Sequence, residues 1–254
     1  MKTIVLFLIA TLLHAPAADA QSRVPTGKPP RVVFLVGDSE YKTGETVPRW
    51  ARAELEPRGV ICEFLVDDPA KPFDFPVLAA LDADALFVSL RRRGLPAAQL
   101  AGIRKFVESG RPVLGIRTAS HAFDPKKPAA GEATWPTFDR DVFGGWYQNH
   151  YGKGAATLVR GAGAHPALAG LPAEDMTFSS HLYKCRELAA TTTVLLNGTI
   201  EGQPEVREPV AWVNAKPRAF YTSLGAPEDF DQPAFRRLLL NATLWILGQP
   251  VAQE

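Results

Sequence analysis

Residues 31–66 read RVVFLVGDSEYKTGETVPRWARAELEPRGVICEFLV, two apolar runs on either side of a stretch with a different period. Arg31 to Val36 reads as a first strand. From Pro48 to Arg58 the apolar residues Trp50, Ala53 and Leu55 fall at helical spacing, Gly59 supplies a stop, and Val60 to Val66 reads as a second strand. This is one βαβ unit. The alternation continues, with Ala85 to Leu90 as a third strand, Pro96 to Ser109 as a helix, and Pro112 to Ile116 as a fourth strand whose apolar residues predict burial on both sides. Such alternation forces parallel strands with helices on both faces, so the fold class is α/β.

Downstream, Thr157 to Val159, Thr193 to Leu196, Val210 to Val213 and Arg218 to Thr222 read as further strands, some of them antiparallel. Gln232 to Leu247 reads as a closing amphipathic helix. Between them, Asp124 to Gly154 dissolves into Pro, Gly and aromatic residues, longer than loops usually run unless they are functional, and is expected to cap a site.

The N-terminus carries a different message: Lys2 gives a positive start, Ile4 to Leu13 is apolar, and Ala18-Asp19-Ala20 suits a signal peptidase. Residues 1–20 are expected to be a signal peptide cleaved after Ala20, and residues 21–30 a short linker. The apolar run is about half the roughly 20 residues that span a bilayer. A periplasmic or secreted chain with no membrane insertion is the expectation, built as one domain over residues 31–248 with a C-terminal tail at 249–254.

Lys plus Arg total 28 against 27 Asp plus Glu, which leaves no electrostatic footprint for nucleic acid and favours a small neutral ligand such as a carbohydrate. A homo-oligomer stays open. Cys62 and Cys185, the two cysteines, either pair in an oxidising compartment or remain buried thiols.

In open α/β sheets ligands bind beyond the carboxyl ends of the strands. After the first strand comes Gly37-Asp38-Ser39-Glu40-Tyr41, whose carboxylates and phenol either hold a ligand or cap the next turn. The third strand runs into Arg91-Arg92-Arg93; Arg91 or Arg93 is the candidate for the cleft, against a solvated surface run. The fourth leads into Gly115-Ile116-Arg117-Thr118-Ala119-Ser120-His121, a sharp turn of the kind that presents a nucleophile or an anion hole. Ser120 and His121, as neighbours, are not expected to form a Ser-His pair with each other. The cap adds His150, and later segments add His165 and His181. None has close metal-ligand spacing, so no metal or other cofactor is called for.

The Gly115 to His121 stretch, Gly152-Lys153-Gly154, His165-Pro166, Leu182-Tyr183-Lys184, Pro209-Val210-Ala211-Trp212 and Phe220 to Gly225, in this order, resemble the ThuA (trehalose utilisation) family, over about Arg31 to Gly248. The resemblance implies a class I glutamine amidotransferase-like fold: a flavodoxin-like three-layer sandwich with a mostly parallel central sheet, an irregular cap and additional antiparallel strands. The parent fold carries Cys after a buried strand and a later His-x-Glu. Here Arg117 stands at the Cys position and Ala226 at the His position, with only Glu228 matching. Without thiolate and base, ammonia release from glutamine is excluded.

What the resemblance implies instead is use of trehalose-type disaccharides through 3-keto sugars. If the chain is an enzyme, it is then a carbohydrate-processing lyase, isomerase or hydrolase. A keto group acidifies the neighbouring C–H, so a base and an enolate-holding group are needed. His121 and Glu40 are candidate bases, and Arg117 is the candidate for the developing charge. Asp38, Tyr41, Arg91, Arg93, Thr118, Ser120, His150, Lys184 and Glu228 are candidate substrate-binding residues. The alternative is a non-catalytic glycan-binding or interaction module, in which Trp135, Phe138, Phe143, Trp146 and Tyr147 clasp a glycan or else form ordinary core.

Overall fold

A computed structural model describes residues 27–252 except 69, 72, 74, 78–80 and 153–156. The expected signal peptide, with Lys153 and Gly154 of the cap motif, lies outside the described residues. In chain order the elements are β1 (Arg31–Val36), α1 (Thr43–Glu54), β2 (Ile61–Val66), β3 (Ala85–Ser89), β4 (Leu95–Pro96), α2 (Ala97–Glu108) and β5 (Val113–Ile116). There follow β6 (Glu132–Ala133), β7 (Trp146–His150), β8 (Thr157–Gly161), β9 (Met176–Phe178), β10 (Tyr183–Arg186), β11 (Thr192–Ile200), β12 (Gln203–Ala215), β13 (Arg218–Thr222) and α3 (Pro233–Ile246).

One nine-stranded sheet runs in the order β2-β1-β3-β5-β13-β12-β11-β8-β9. From β2 to β13 neighbouring strands are parallel, and from β13 to β9 they are antiparallel. The architecture is therefore α/β with additional antiparallel strands. Alternation along β1 explains its unbroken apolar run. Val32, Phe34 and Val36 join the core that contains α1 and α3 residues, while Val33 and Leu35 join the core on the opposite face with α2 residues.

The first helix starts earlier than its apolar spacing suggests: α1 begins at Thr43, and Pro48 lies inside it rather than at its start. What anchors that start is polar. The Thr43 hydroxyl accepts from the Asp38 amide at 2.9 Å and donates to the Ser89 carbonyl at 3.1 Å, tying the loop after β1 to the end of β3. Hydrophobic periodicity carries no trace of such a tie.

The cap is more structured than its composition indicates. A short π-helical turn at Asp139–Phe143 leads into β7, which pairs antiparallel with β10 in a separate ribbon. Neither β7, β9 nor β10 is visible in the pattern, because β7 reads Trp-Tyr-Gln-Asn-His, without an alternating apolar face toward the main sheet. Trp135, Phe138 and Phe143 are buried in the core that also holds α2 and β5 residues, whereas Trp146 and Tyr147 are half-buried. The two cysteines are unpaired, Cys62 on β2 and Cys185 on β10, and burial pushes the Cys62 thiol up to about 12.

Gly115, in the middle of β5, faces the Phe143 ring, and a Cβ there would overlap it. Gly115→Ala should therefore destabilise the fold by about 1–3 kcal/mol through overpacking. Urea unfolding at constant m-value is the measurement, and an unchanged midpoint would mean that the cap does not press on β5.

Candidate functional site

Three basic residues in the turns after parallel strands adopt left-handed backbone angles: Lys42 (φ 50°) after β1, Arg92 (φ 51°) after β3, and Arg117 (φ 49°) after β5. For a residue with a Cβ this conformation costs roughly 1–2 kcal/mol, so surrounding contacts must enforce it. At Arg92 the reversal breaks side-chain alternation. Arg92 lines both of the clefts described below, whereas Arg91 and Arg93 line one.

The Arg117 side chain is fully buried. Its Nη1 donates to the His181 carbonyl at 2.9 Å and the Ser223 carbonyl at 2.6 Å, and its Nη2 donates to Tyr41 Oη at 3.2 Å. Nη2 also lies 2.8 Å from His181 Nδ1; a guanidinium only donates, so the imidazole receives. The Tyr41 and Tyr183 rings lie against it, with centroids 4.5 and 4.3 Å from the guanidinium carbon. None of its described partners is a carboxylate. Arg117 thus holds loops together and does not face solvent, where a substrate would meet it.

A first cleft, of about 350 Å³, opens beside the turn after β5 and is lined by Arg92, Ser120, His121, Asp139, Trp146 and Tyr147 among others. Ser120 Oγ lies 3.1 Å from His121 Nδ1. The 3₁₀ turn over Arg117–His121 brings the two side chains to the same side. The serine hydroxyl also donates to the Arg117 carbonyl at 3.3 Å. With its one proton used there, His121 Nδ1–H donates to Ser120 and leaves Nε2 as an acceptor. Burial and then the Arg92 charge push the His121 pKa down to about 3, so the ring stays neutral. It stacks on Tyr147 at 4.6 Å between centroids.

Asp139 is the residue that sequence reasoning missed. It sits in the π-helical turn, buried, accepting from the Arg140 amide at 2.8 Å and the Tyr147 amide at 2.9 Å. Burial raises its pKa to about 6 against those two hydrogen bonds. Its neighbours Arg140 and Asp141 are charged as well, so the sequence does not single it out.

A second cleft, of about 430 Å³, lies where strand order reverses between β1 and β3 and is lined by Gly37, Asp38, Ser39, Asp67, Arg91, Arg92, Arg93 and Lys126. Burial raises the Asp38 pKa, against the Thr118 hydroxyl, the Glu40 amide and Arg91, which lower it. Asp67 follows β2, so the strand-end rule applied to the other parallel strands reaches it too.

The candidate residues therefore do not meet in one place. Asp38, Arg91 and Arg93 share the second cleft, Ser120 and His121 the first, and Arg92 lines both. Thr118 is buried next to Asp38. Glu40 lines neither cleft and pairs with Arg91 at 2.9 Å. Tyr41 is buried against Arg117, and His150 stacks edge-on against His181 at 4.6 Å. Its Nδ1 donates to the Tyr151 carbonyl at 2.6 Å. Lys184 points to the Tyr151 ring, away from both clefts. Glu228 is exposed; its neighbour Asp229 is the buried one, accepting from Ser179, Ser180, Gly225 and Ala226.

The match to the ThuA family, described as trehalose utilisation, covers residues 42–246. The chain belongs to the ThuA family. Similar solved structures include a ThuA-like protein of Bacteroides uniformis (TM-score 0.65, 18% identity, 92% of this chain and 95% of that one). Another is a ThuA-like protein of Parabacteroides merdae (0.65, 17%, 89% and 93%). A glutamine amidotransferase of Methylobacillus flagellatus (0.53, 12%, 89% and 98%) shares the fold. By sequence, no curated protein matches. In this ThuA chain the turn after β5 carries a left-handed residue, Arg117.

His121 and His165 have folded pKa values of about 3 and about 4, below the ordinary 6.5. Between those values and 6.5 the unfolded chain binds more protons, so stability is full above about 6.5 and falls with falling pH. Asp139 acts oppositely: the stability linked to its raised pKa is present below 3.8 and lost as pH rises through about 6. His121→Asn should flatten the decline between pH 6.5 and 4 in urea unfolding; an unchanged slope would show that His121 titrates normally.

Proposed function

We propose that this ThuA protein is an exported carbohydrate-processing enzyme that moves a proton on a 3-keto sugar in the cleft of Asp139, His121 and Arg92. The observation that carries the reading is one cleft with a carboxyl group of pKa about 6, a neutral imidazole and a guanidinium. A base poised near the working pH is what proton abstraction needs. Asp139 takes the proton from the carbon next to the keto group, and the electron pair moves onto the keto oxygen. Arg92 holds that oxyanion, and His121 Nε2 accepts a hydrogen bond from a sugar hydroxyl. Returning the proton to either carbon face, or expelling a β-glycosidic oxygen, separates isomerisation from cleavage. Glutaminase activity has no place in it, since neither a thiol at Arg117 nor an imidazole at Ala226 is present.

The sugar chemistry is tested by exchange. With 3-keto-trehalose in D2O, deuterium should enter beside the keto group, with a rate that rises through an apparent pKa of about 6. Asp139→Asn should lower that rate by on the order of a hundredfold or more and remove the pH dependence. Equal exchange in the variant would sink the assignment.

Export rests on Lys2, the Ile4 to Leu13 run and Ala18-Asp19-Ala20. N-terminal sequencing of the protein recovered outside the cytoplasm should begin at Gln21. Recovery of an intact Met1 terminus there would contradict cleavage.

A further inference from the structure

The strand at one end of the main sheet has the composition of an inner strand without the burial of one. β2 reads Ile-Cys-Glu-Phe-Leu-Val, and none of its six residues is buried, whereas β3 and β5 are buried throughout. Ile61 is 37% exposed and Val66 51%, so two of the three exposed large hydrophobic side chains among the described residues are the two ends of this one strand. Sheet edges are ordinarily blunted by brevity, proline, lysine or a bulge. The opposite edge follows that rule, since β9 is three residues long. β2 does not: it pairs with β1 in unbroken register over all six residues and carries neither proline nor lysine.

The backbone of that edge selects its partner. The Ile61 amide donates to the Pro30 carbonyl at 2.8 Å and the Asp67 amide to the Val36 carbonyl at 2.7 Å, so the odd-numbered residues turn their backbone groups toward β1. Successive residues of a strand address opposite neighbours, which leaves the amides and carbonyls of Cys62, Phe64 and Val66 facing outward. A second copy brought up antiparallel about a two-fold axis at Phe64 matches all three: Phe64 meets the partner's Phe64, and Cys62 meets the partner's Val66. Each such pair exchanges two hydrogen bonds, about six in all. Glu63 then stands opposite the partner's Leu65. Moving the axis to Glu63 would set two like carboxylates directly opposite each other, which is destabilising. Charge beside the strand is self-complementary as well, because Arg52, its guanidinium carbon 4.8 Å from the centre of the Phe64 ring, and Glu56 both act on Cys62 with opposite sign.

We propose that the protein forms a two-fold dimer in which β2 pairs antiparallel with β2 of a second copy, joining the two sheets into one and covering Ile61 and Val66. The pairing consumes the open edge of both copies, so it closes and does not propagate. A head-to-tail contact would need β9 as the acceptor, and its three residues offer β2 only half its length. Both clefts lie at the carboxyl ends of the parallel strands, so the two copies carry them on opposite rims of the shared sheet. The dimer does not depend on the chemistry proposed for the first cleft.

Sedimentation equilibrium of the purified protein should show a monomer and a dimer and nothing larger. Val66→Lys, at a side chain already exposed and so safe for folding, should raise the dimer dissociation constant about tenfold or more. Val77→Lys, at an exposed side chain outside the strand, should leave it unchanged. Amide hydrogen exchange reads the register without any substitution: on dilution from dimer to monomer, Cys62, Phe64 and Val66 should lose protection while Ile61, Glu63 and Leu65 keep theirs through β1. A monomer at every concentration, a series of species growing beyond the dimer, or a dimer dissociated by Val77→Lys but not by Val66→Lys would each overturn the pairing. So would a dimer in which the Cys62, Phe64 and Val66 amides exchange as fast as they do in the monomer.

Discussion

The site depends on a buried guanidinium that has no carboxylate partner among the described residues. Removing a charge from water costs several kcal/mol unless its donors are matched, and the Nη1 and Nη2 donors of Arg117 are matched by other segments: the carbonyls of His181 and Ser223, the His181 imidazole and the Tyr41 hydroxyl, with two phenol faces against the guanidinium. Those groups come from the segments after β1, before β10 and after β13. None can move far without exposing the cation to an apolar interior. The charge therefore acts as a staple, and the roof formed by β7 and β10 sits where the staple holds it.

The same residue shapes the turn after β5. The left-handed turn after β5 is strained whether a thiol or a guanidinium occupies it, and strain at such a turn is kept only while neighbouring contacts enforce it. Here the enforcing contacts are Arg117's own hydrogen bonds, with the Tyr221 hydroxyl donating to its carbonyl at 2.7 Å. The turn still delivers the next side chains, Ser120 and His121, to the edge of the adjoining cleft.

Much of the fold was legible because burial writes itself into composition. β1, β3 and β5 are buried on both faces and read as unbroken apolar runs, and their carboxyl ends locate both clefts. What could not be read depends on backbone sign and on polar ties. Arg92 alone of the triplet lines both clefts and has a left-handed φ, and nothing in Arg91-Arg92-Arg93 encodes that. The start of α1 is set by the Thr43 hydroxyl rather than by apolar period. Asp139 was hidden because its role arises from burial by the β7 ribbon, whose residues alternate too weakly to be seen as a strand.

Burial by that ribbon also accounts for the pairing of titration states in the first cleft. Desolvation favours the neutral form of any group, so it lowers the imidazole pKa and raises the carboxyl pKa, and it is the first cause of both shifts. Near pH 7 the outcome is a neutral His121 that can only orient a hydroxyl and an ionised Asp139 that is a stronger base than an ordinary aspartate. Two groups with opposite shifts divide the roles of acid–base chemistry between them. The nearby Arg92 charge deepens the division by opposing a second cation on His121. Water admitted to the cleft would reverse both shifts together, so the Tyr147 ring on His121 and the Tyr147 amide on Asp139 tie both groups to one residue of the ribbon.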